Sequence, residues 1–142
     1  MEPYSRKRDV KILDFLSKTA EAAGGMGMHT RLAAAVVIRN EIVAVGFNKR
    51  KTHPFQARYG ADEHKVYLHA ETDAINRALK YCSKEELSRA SLYVARVKYK
   101  NGLSRQAVWA QSKPCIGCQK AINSFGIRNV IHTCEEGVYN II

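Results

Sequence analysis

The alternation of apolar and polar positions divides the chain into a small set of elements. Residues 6–23 carry Val10, Ile12, Leu13, Leu16, Ala20 and Ala23 at roughly helical spacing, and Gly24-Gly25 stops the pattern. Two β-rich runs follow, Leu32 to Arg39 and Ile42 to Phe47; Asn40-Glu41 between them reads as a tight hairpin. Residues 49–67 form a long polar loop, of a length that inside a compact domain usually serves function. Helical periodicity returns over 69–81 through Ala70, Ala74, Ile75, Ala78 and Leu79, and Ser83-Lys84-Glu85-Glu86 offers a capping box for a short further turn.

Leu92 to Tyr99 reads as a strand, Lys100-Asn101-Gly102 as the turn of a second hairpin, and Gln106 to Ala110 as its return arm. Pro114-Cys115 opens another helix, which Gly126 closes. Ile127 to Thr133 supplies a further strand, and the tail Val138 to Ile142 is too short to assign. No repeat, low-complexity stretch or linker interrupts the order α, β, β, α, β, β, α, β. The expectation is one domain over 1–142, an α/β fold with a sheet between helical layers.

Composition narrows the partners more than the fold. Of the 142 residues, 46% are apolar and 25% charged, which excludes a disordered chain, a collagen-like repeat and a disulfide miniprotein. Lys and Arg number 23 against 13 Asp and Glu, a net charge of +10, so an anionic partner is expected: a nucleic acid, a nucleotide or a membrane surface. The longest apolar run, Leu32 to Ile38, is too short to span a bilayer, and residues 1–8 lack the apolar stretch of an export signal. A cytoplasmic protein without membrane contact is therefore expected. In that reducing setting Cys115-Ile116-Gly117-Cys118 points to metal or redox chemistry more than to a bridge.

Chemistry concentrates at His69-Ala70-Glu71 and at Pro114-Cys115-Ile116-Gly117-Cys118, each opening a predicted helix. Cys115 and Cys118, three residues apart, share a helix face and can grip one ion. Helix N-termini carry positive potential that favours thiolates. One imidazole from His69 and two thiolates are a zinc donor set, and three protein ligands leave a fourth position open, as in catalytic sites. Glu71 stands two residues past His69, where a carboxylate can take a proton from water on the metal and pass it to a substrate. H-x-E with P-C-x-x-C is the general signature of zinc-dependent base deaminases. Two blander readings stand beside this one. A structural zinc knuckle would draw a fourth ligand from Cys82, Cys134 or His132, and a redox C-x-x-C would need a different βαβ context. Cys82 and Cys134 otherwise read as small buried hydrophobes, and Tyr93 and Trp109 as core. Phe55, Tyr59 and Tyr67, with His53, are the candidates for stacking on a base or meeting a phosphate.

From roughly Leu32 to Thr133 the sequence resembles the cytidine and deoxycytidylate deaminase superfamily, which also holds tRNA adenosine deaminases and polynucleotide cytosine deaminases. The two motifs above carry the resemblance, with Gly46-Phe47-Asn48, Leu92-Tyr93-Val94 and Gly126-Ile127-Arg128 in support. Within the superfamily it is most similar to short phage-type deoxycytidylate deaminase-like proteins. The resemblance implies a five-stranded mixed sheet with two zinc-bearing helices side by side on one face. It implies His69, Cys115 and Cys118 as zinc ligands and Glu71 as proton shuttle. Asn48 would hydrogen-bond the sugar or base, and the Ala70 N–H would meet the pyrimidine carbonyl. A carbonyl around Lys113 and Pro114 would accept from the leaving amine. One departure is plain: Leu92 and Pro114 are 22 positions apart (114 − 92), where the family has only a few residues between its third strand and the proline-cysteine motif.

The implied activity is zinc-dependent hydrolysis of cytosine to uracil in a nucleoside or nucleotide, deoxycytidylate first. Deamination of cytosine or adenine in single-stranded DNA or RNA is the alternative, and a non-catalytic zinc module that binds nucleic acid is a third reading. Relatives of this fold commonly self-associate, so a homo-oligomer is also expected. Basic residues crowd both approaches to the motifs: Lys49, Arg50, Lys51 and Arg58 after Asn48, and Arg96, Lys98, Lys100, Arg105 and Lys113 along the hairpin over 96–110 and its exit.

Overall fold

A computed structural model describes residues 7–23, 31–48, 69–99, 107–135 and 137–141. Helix α1 (Lys7–Ala23) precedes the hairpin of β1 (Arg31–Ile38) and β2 (Glu41–Phe47); helix α2 (Ala70–Ala78) and the single turn α3 (Lys84–Leu87) follow. Then come β3 (Ser91–Tyr99), β4 (Ala107–Ala110), α4 (Ile116–Ser124), β5 (Asn129–Cys134) and β6 (Gly137–Ile141). The capping box at α3 forms as its sequence requires, Ser83 and Glu86 each bonding the other's backbone N–H. The polar loop over 49–67, with His53, Phe55, Tyr59 and Tyr67, lies outside the described residues, as does the turn Lys100-Asn101-Gly102.

The first hairpin turns one residue earlier than its sequence suggests. Ile38 pairs with Glu41, and Arg39 (φ 52°) and Asn40 (φ 67°) both sit in the left-handed region, the geometry of a two-residue hairpin turn. Arg39 therefore belongs to the turn and Glu41 to β2. The tail that is too short to assign by pattern is also a strand: β6 lies antiparallel to β5, from Val130 opposite Ile141 to Cys134 opposite Gly137.

The strands form one mixed sheet in the order β2-β1-β3-β5-β6, with β3 and β5 parallel and the other neighbours antiparallel. The five-stranded expectation describes this path, and β4 is a sixth strand that adds no sixth position across it. It pairs with Arg96–Tyr99 of β3, along the edge where β5 pairs with Ser91–Val94. Two strands thus meet end to end on one side of β3.

Alternation along β1 and β3 sorts the core into two layers. Ala34, Val36, Leu92 and Val94 face α2, α3 and α4 through Ala74, Ile75, Ala78, Leu87, Ile122 and Phe125. Ala33, Ala35, Val37, Tyr93 and Ala95 face α1 through Leu13, Leu16 and Ala20. Both motif-bearing helices therefore lie on one face and α1 on the other, the three-layer α/β arrangement that the element order predicts. Tyr93 is buried and Trp109 half-buried against this second layer, both in the core as their strand patterns require.

Two polar links fasten α1 to the sheet. The Trp109 Nε1–H donates to Ser17 Oγ (2.9 Å), and the Tyr93 hydroxyl donates to Asp9, whose carboxylate is only 1% exposed. Burial first, and then the neighbouring Asp9, push the Tyr93 hydroxyl far above its ordinary pKa, so it stays a donor. Tyr93→Phe takes from Asp9 its buried hydroxyl partner. We expect a loss of about 1.5–3 kcal/mol in urea unfolding; a change near zero would mean that the pair contributes nothing.

Candidate metal centre and active site

His69 and Cys115 occupy the N-cap positions of α2 and α4, each with extended backbone and neither capping its helix with its side chain. Cap positions favour Ser, Thr, Asp or Asn because the side chain closes onto the first turn. Histidine and cysteine there turn their side chains to another task. The backbone still starts each helix, with Asp73 N–H donating to His69 O (2.9 Å) and Gln119 N–H to Cys115 O (2.8 Å). Cys118 is buried one turn along α4, on the face that meets α2.

The three side chains converge. His69 Nδ1 lies 3.2 Å from Cys118 Sγ and 3.6 Å from Cys115 Sγ, and all three donor atoms fall within 4.8 Å of one another. Zinc with a nitrogen ligand near 2.0 Å and a sulfur near 2.3 Å sets tetrahedral N···S edges at about 3.6 Å. Donor type and spacing both fit zinc. Among the described residues Cys82, Cys134 and His132 stand outside this cluster, so the fourth ligand of a structural knuckle is not supplied by any of them. Cys134 and His132 are buried instead, and the half-buried Cys82 thiol donates to Ala78 O (3.2 Å).

Charge at the site follows from crowding two thiols against an imidazole. The hydrogen bond from Cys118, with the pull of His69, holds Cys115 down at about 3, while the same bond and burial push Cys118 up. The arrangement thus favours the thiolate at Cys115, and a bound cation would favour it at Cys118 as well. Glu71 is 5% exposed and its carboxyl reaches Cys118. Burial raises its pKa, partly opposed by its own backbone hydrogen bond and by His69.

The other expected contacts lie around this cluster. Ala70 is the first, fully buried residue of α2. Asn48 directly follows β2 and is buried, its Oδ1 accepting from Leu32 N–H (3.1 Å). Lys113 is exposed two residues before Cys115, its N–H donating to Gln111 Oε1 (3.1 Å). The Pro114 carbonyl is already engaged, accepting from Gln119 Nε2 at 2.7 Å. Of the basic hairpin residues in view, Lys98 pairs with Glu135, and Arg96 donates to Gln111 O (3.4 Å). Lys49, Arg50, Lys51, Arg58, Lys100 and Arg105 lie outside the described residues.

Asp73 belongs to the site's support and is not singled out by the motifs. Buried on α2, it accepts from Phe47 N–H (3.0 Å) and from Arg77 Nε (3.2 Å), which fixes the end of β2, and with it Asn48, to the helix that starts at His69. The available signal was an acidic residue in the first turn, which helices carry for many reasons.

Two helix N-termini on one face of a mixed sheet, closing a His/Cys/Cys cluster beside a buried carboxyl, form the arrangement that fits the zinc-dependent base deaminases. The chain belongs to the family described as the cytidine and deoxycytidylate deaminase zinc-binding region, whose family model matches residues 6–134. No curated protein matches the sequence. Among solved structures, the apo dCMP deaminase of cyanophage S-TIM5 is similar with a TM-score of 0.54 and 23% identity, covering 87% of this chain and 83% of that one. The same phage enzyme in complex with dCMP and dUMP gives 0.50 and 22%, covering 91% and 83%. RibD of Acinetobacter baumannii gives 0.52 and 17% over 90% of this chain and 28% of its own. Among the described residues no helix is long and apolar enough to cross a membrane.

Proposed function

We propose that this deaminase hydrolyses the 4-amino group of a free cytosine nucleotide, with deoxycytidylate its substrate and deoxyuridylate and ammonia its products. The observation that carries the reading is Glu71, a buried carboxyl reaching the metal cluster without being needed to complete it. Zinc held by His69, Cys115 and Cys118 would supply an acidified water and a positive field beside C4 of the ring. Glu71 would take one proton from the attacking water and give it to N3 as the oxygen bonds C4, and then carry the remaining hydroxyl proton to the amine, which leaves as ammonia when the C4–N bond breaks. The Ala70 N–H, at the positive end of α2, holds the ring carbonyl. Asn48, oriented by the Leu32 N–H, holds the sugar. The Pro114 carbonyl is occupied by Gln119, so we assign the carbonyl of Lys113 as acceptor for the amine.

A free nucleotide is favoured over a polynucleotide because two basic residues of the inserted hairpin already have partners within the chain. Lys98 is paired with Glu135 and Arg96 donates to the Gln111 carbonyl, both at the surface, so each must give up a contact before it can follow a phosphate backbone. Thiolate ligands and a free-nucleotide substrate both suit the cytoplasm. The test is deamination of deoxycytidylate, deoxycytidine, cytidine and a labelled cytosine oligonucleotide by zinc-loaded protein at low and high salt. Turnover of deoxycytidylate above the others is expected. Turnover confined to the oligonucleotide, falling steeply with salt, would overturn the substrate assignment and leave the deaminase chemistry standing.

A further inference from the structure

The chain reaches its metal-binding cysteines by a detour. It leaves the sheet's shared core along β3, runs out to Tyr99 and returns along β4, and only four residues, 111–114, separate Ala110 from Cys115. The return point falls at the seam where β5 stops pairing with β3, at Val94, and β4 begins, at Arg96. Neither ladder can satisfy the backbone groups in such a gap, and two buried hydroxyls do so instead. Ser112, 4% exposed, donates its Oγ–H to Val94 O (2.9 Å) and accepts from Thr133 N–H (2.9 Å). Thr133, fully buried, donates its Oγ1–H to Ala110 O (2.9 Å) and accepts from Arg96 N–H (3.1 Å). The Ser112 N–H returns a bond to Thr133 O (3.0 Å), and the two hydroxyls are 3.0 Å apart.

We propose that Ser112 and Thr133 are positioning residues for the metal centre. Together they tie the end of the inserted hairpin to β3 and β5 and so set where Cys115, three residues on, stands relative to His69. His69 is referenced to the sheet by a separate route, through α2 and the Asp73–Phe47 bond. The ion must therefore bridge two independently anchored segments, and a buried network is stiff only when every member is satisfied. Gln119 completes the tether from the other side by holding the Pro114 carbonyl. The inference needs only the metal site, so its failure and that of the substrate assignment are read separately.

The experiment follows zinc release from the loaded protein to a colorimetric chelator, and the visible absorption of the cobalt-substituted protein, in Ser112→Ala, Thr133→Val and Thr133→Ser. Release about 10-fold faster and displaced cobalt bands are expected for Ser112→Ala and Thr133→Val. Thr133→Ser keeps the hydroxyl and should behave as wild type in both readings. Tyr93→Phe, on the opposite face of the sheet, is the control for a plain loss of stability and should leave both unchanged. Wild-type release and wild-type cobalt bands in Ser112→Ala and Thr133→Val, whatever their melting temperatures, would overturn the proposal. So would a Thr133→Ser protein as impaired as Thr133→Val, because loss of the methyl group alone would then do as much as loss of the hydroxyl. Should Ser112→Ala fail to fold, the Thr133 pair decides alone.

Discussion

Glu71→Gln protein should hold zinc at one ion per chain and turn over about 10³- to 10⁴-fold more slowly than wild type. The substitution keeps the length and planarity of the side chain and removes only its capacity to take up and release a proton. Glu71 is buried beside Cys118, and the three atoms that fit a tetrahedral ion come from His69, Cys115 and Cys118, so binding of the metal does not need the carboxyl. Zinc content by emission spectroscopy and ammonia release from deoxycytidylate measure the two properties on the same sample. A loss of zinc alongside activity would make Glu71 a ligand, and full activity would remove it from the reaction. Binding of the substrate should survive, so the change belongs in kcat and not in KM.

The site was more legible in the sequence than the sheet that carries it. His69-Ala70-Glu71 and Cys115–Cys118 are local spacings that a helix start converts directly into side chains on one face, and the donor atoms of His69, Cys115 and Cys118 lie within 4.8 Å of one another. The layering of a sheet between helices was legible from the element order alone, and the structure places core clusters on both faces of the sheet. Pairing is different. Nothing local says that β4 and β5 share one edge of β3, or that Asp73 reaches across to Phe47 N–H. The tail 137–141 is too short for its pattern to decide, so only its ladder with β5 identifies it as a strand. The same holds for charge. Arg96 and Lys98 read as basic positions approaching the motif, but their roles depend on Gln111 and Glu135, which fold up beside them from distant parts of the chain.

Gly46→Ala should lower the stability of this protein by about 3 kcal/mol or more. Gly46 lies on β2 beneath α2, and a Cβ there would stand 2.3 Å from Ala74 N, 2.5 Å from Ala70 O and 2.8 Å from Ala74 Cα. All three atoms are backbone of the helix that carries His69 and Glu71, so no side chain can swing aside to make room. The helix must lift or β2 must drop. Lifting α2 moves His69 away from Cys115 and Cys118, which α4 holds independently, and a displacement of about 1 Å at such a centre can cost on the order of 100-fold in rate. Gly126 provides the contrast. Its φ of +74° makes an added methyl unfavourable, yet the nearest atom is a side-chain carbon of Ser88 at 3.3 Å, remote from the helix starts. Gly126→Ala should therefore cost about 1–2 kcal/mol and leave kcat and zinc affinity unchanged in whatever fraction is folded. Urea melts, zinc titration and turnover on both variants separate the two cases. Equal effects on stability with an intact metal site in Gly46→Ala would show that β2, and not α2, yields to the added carbon.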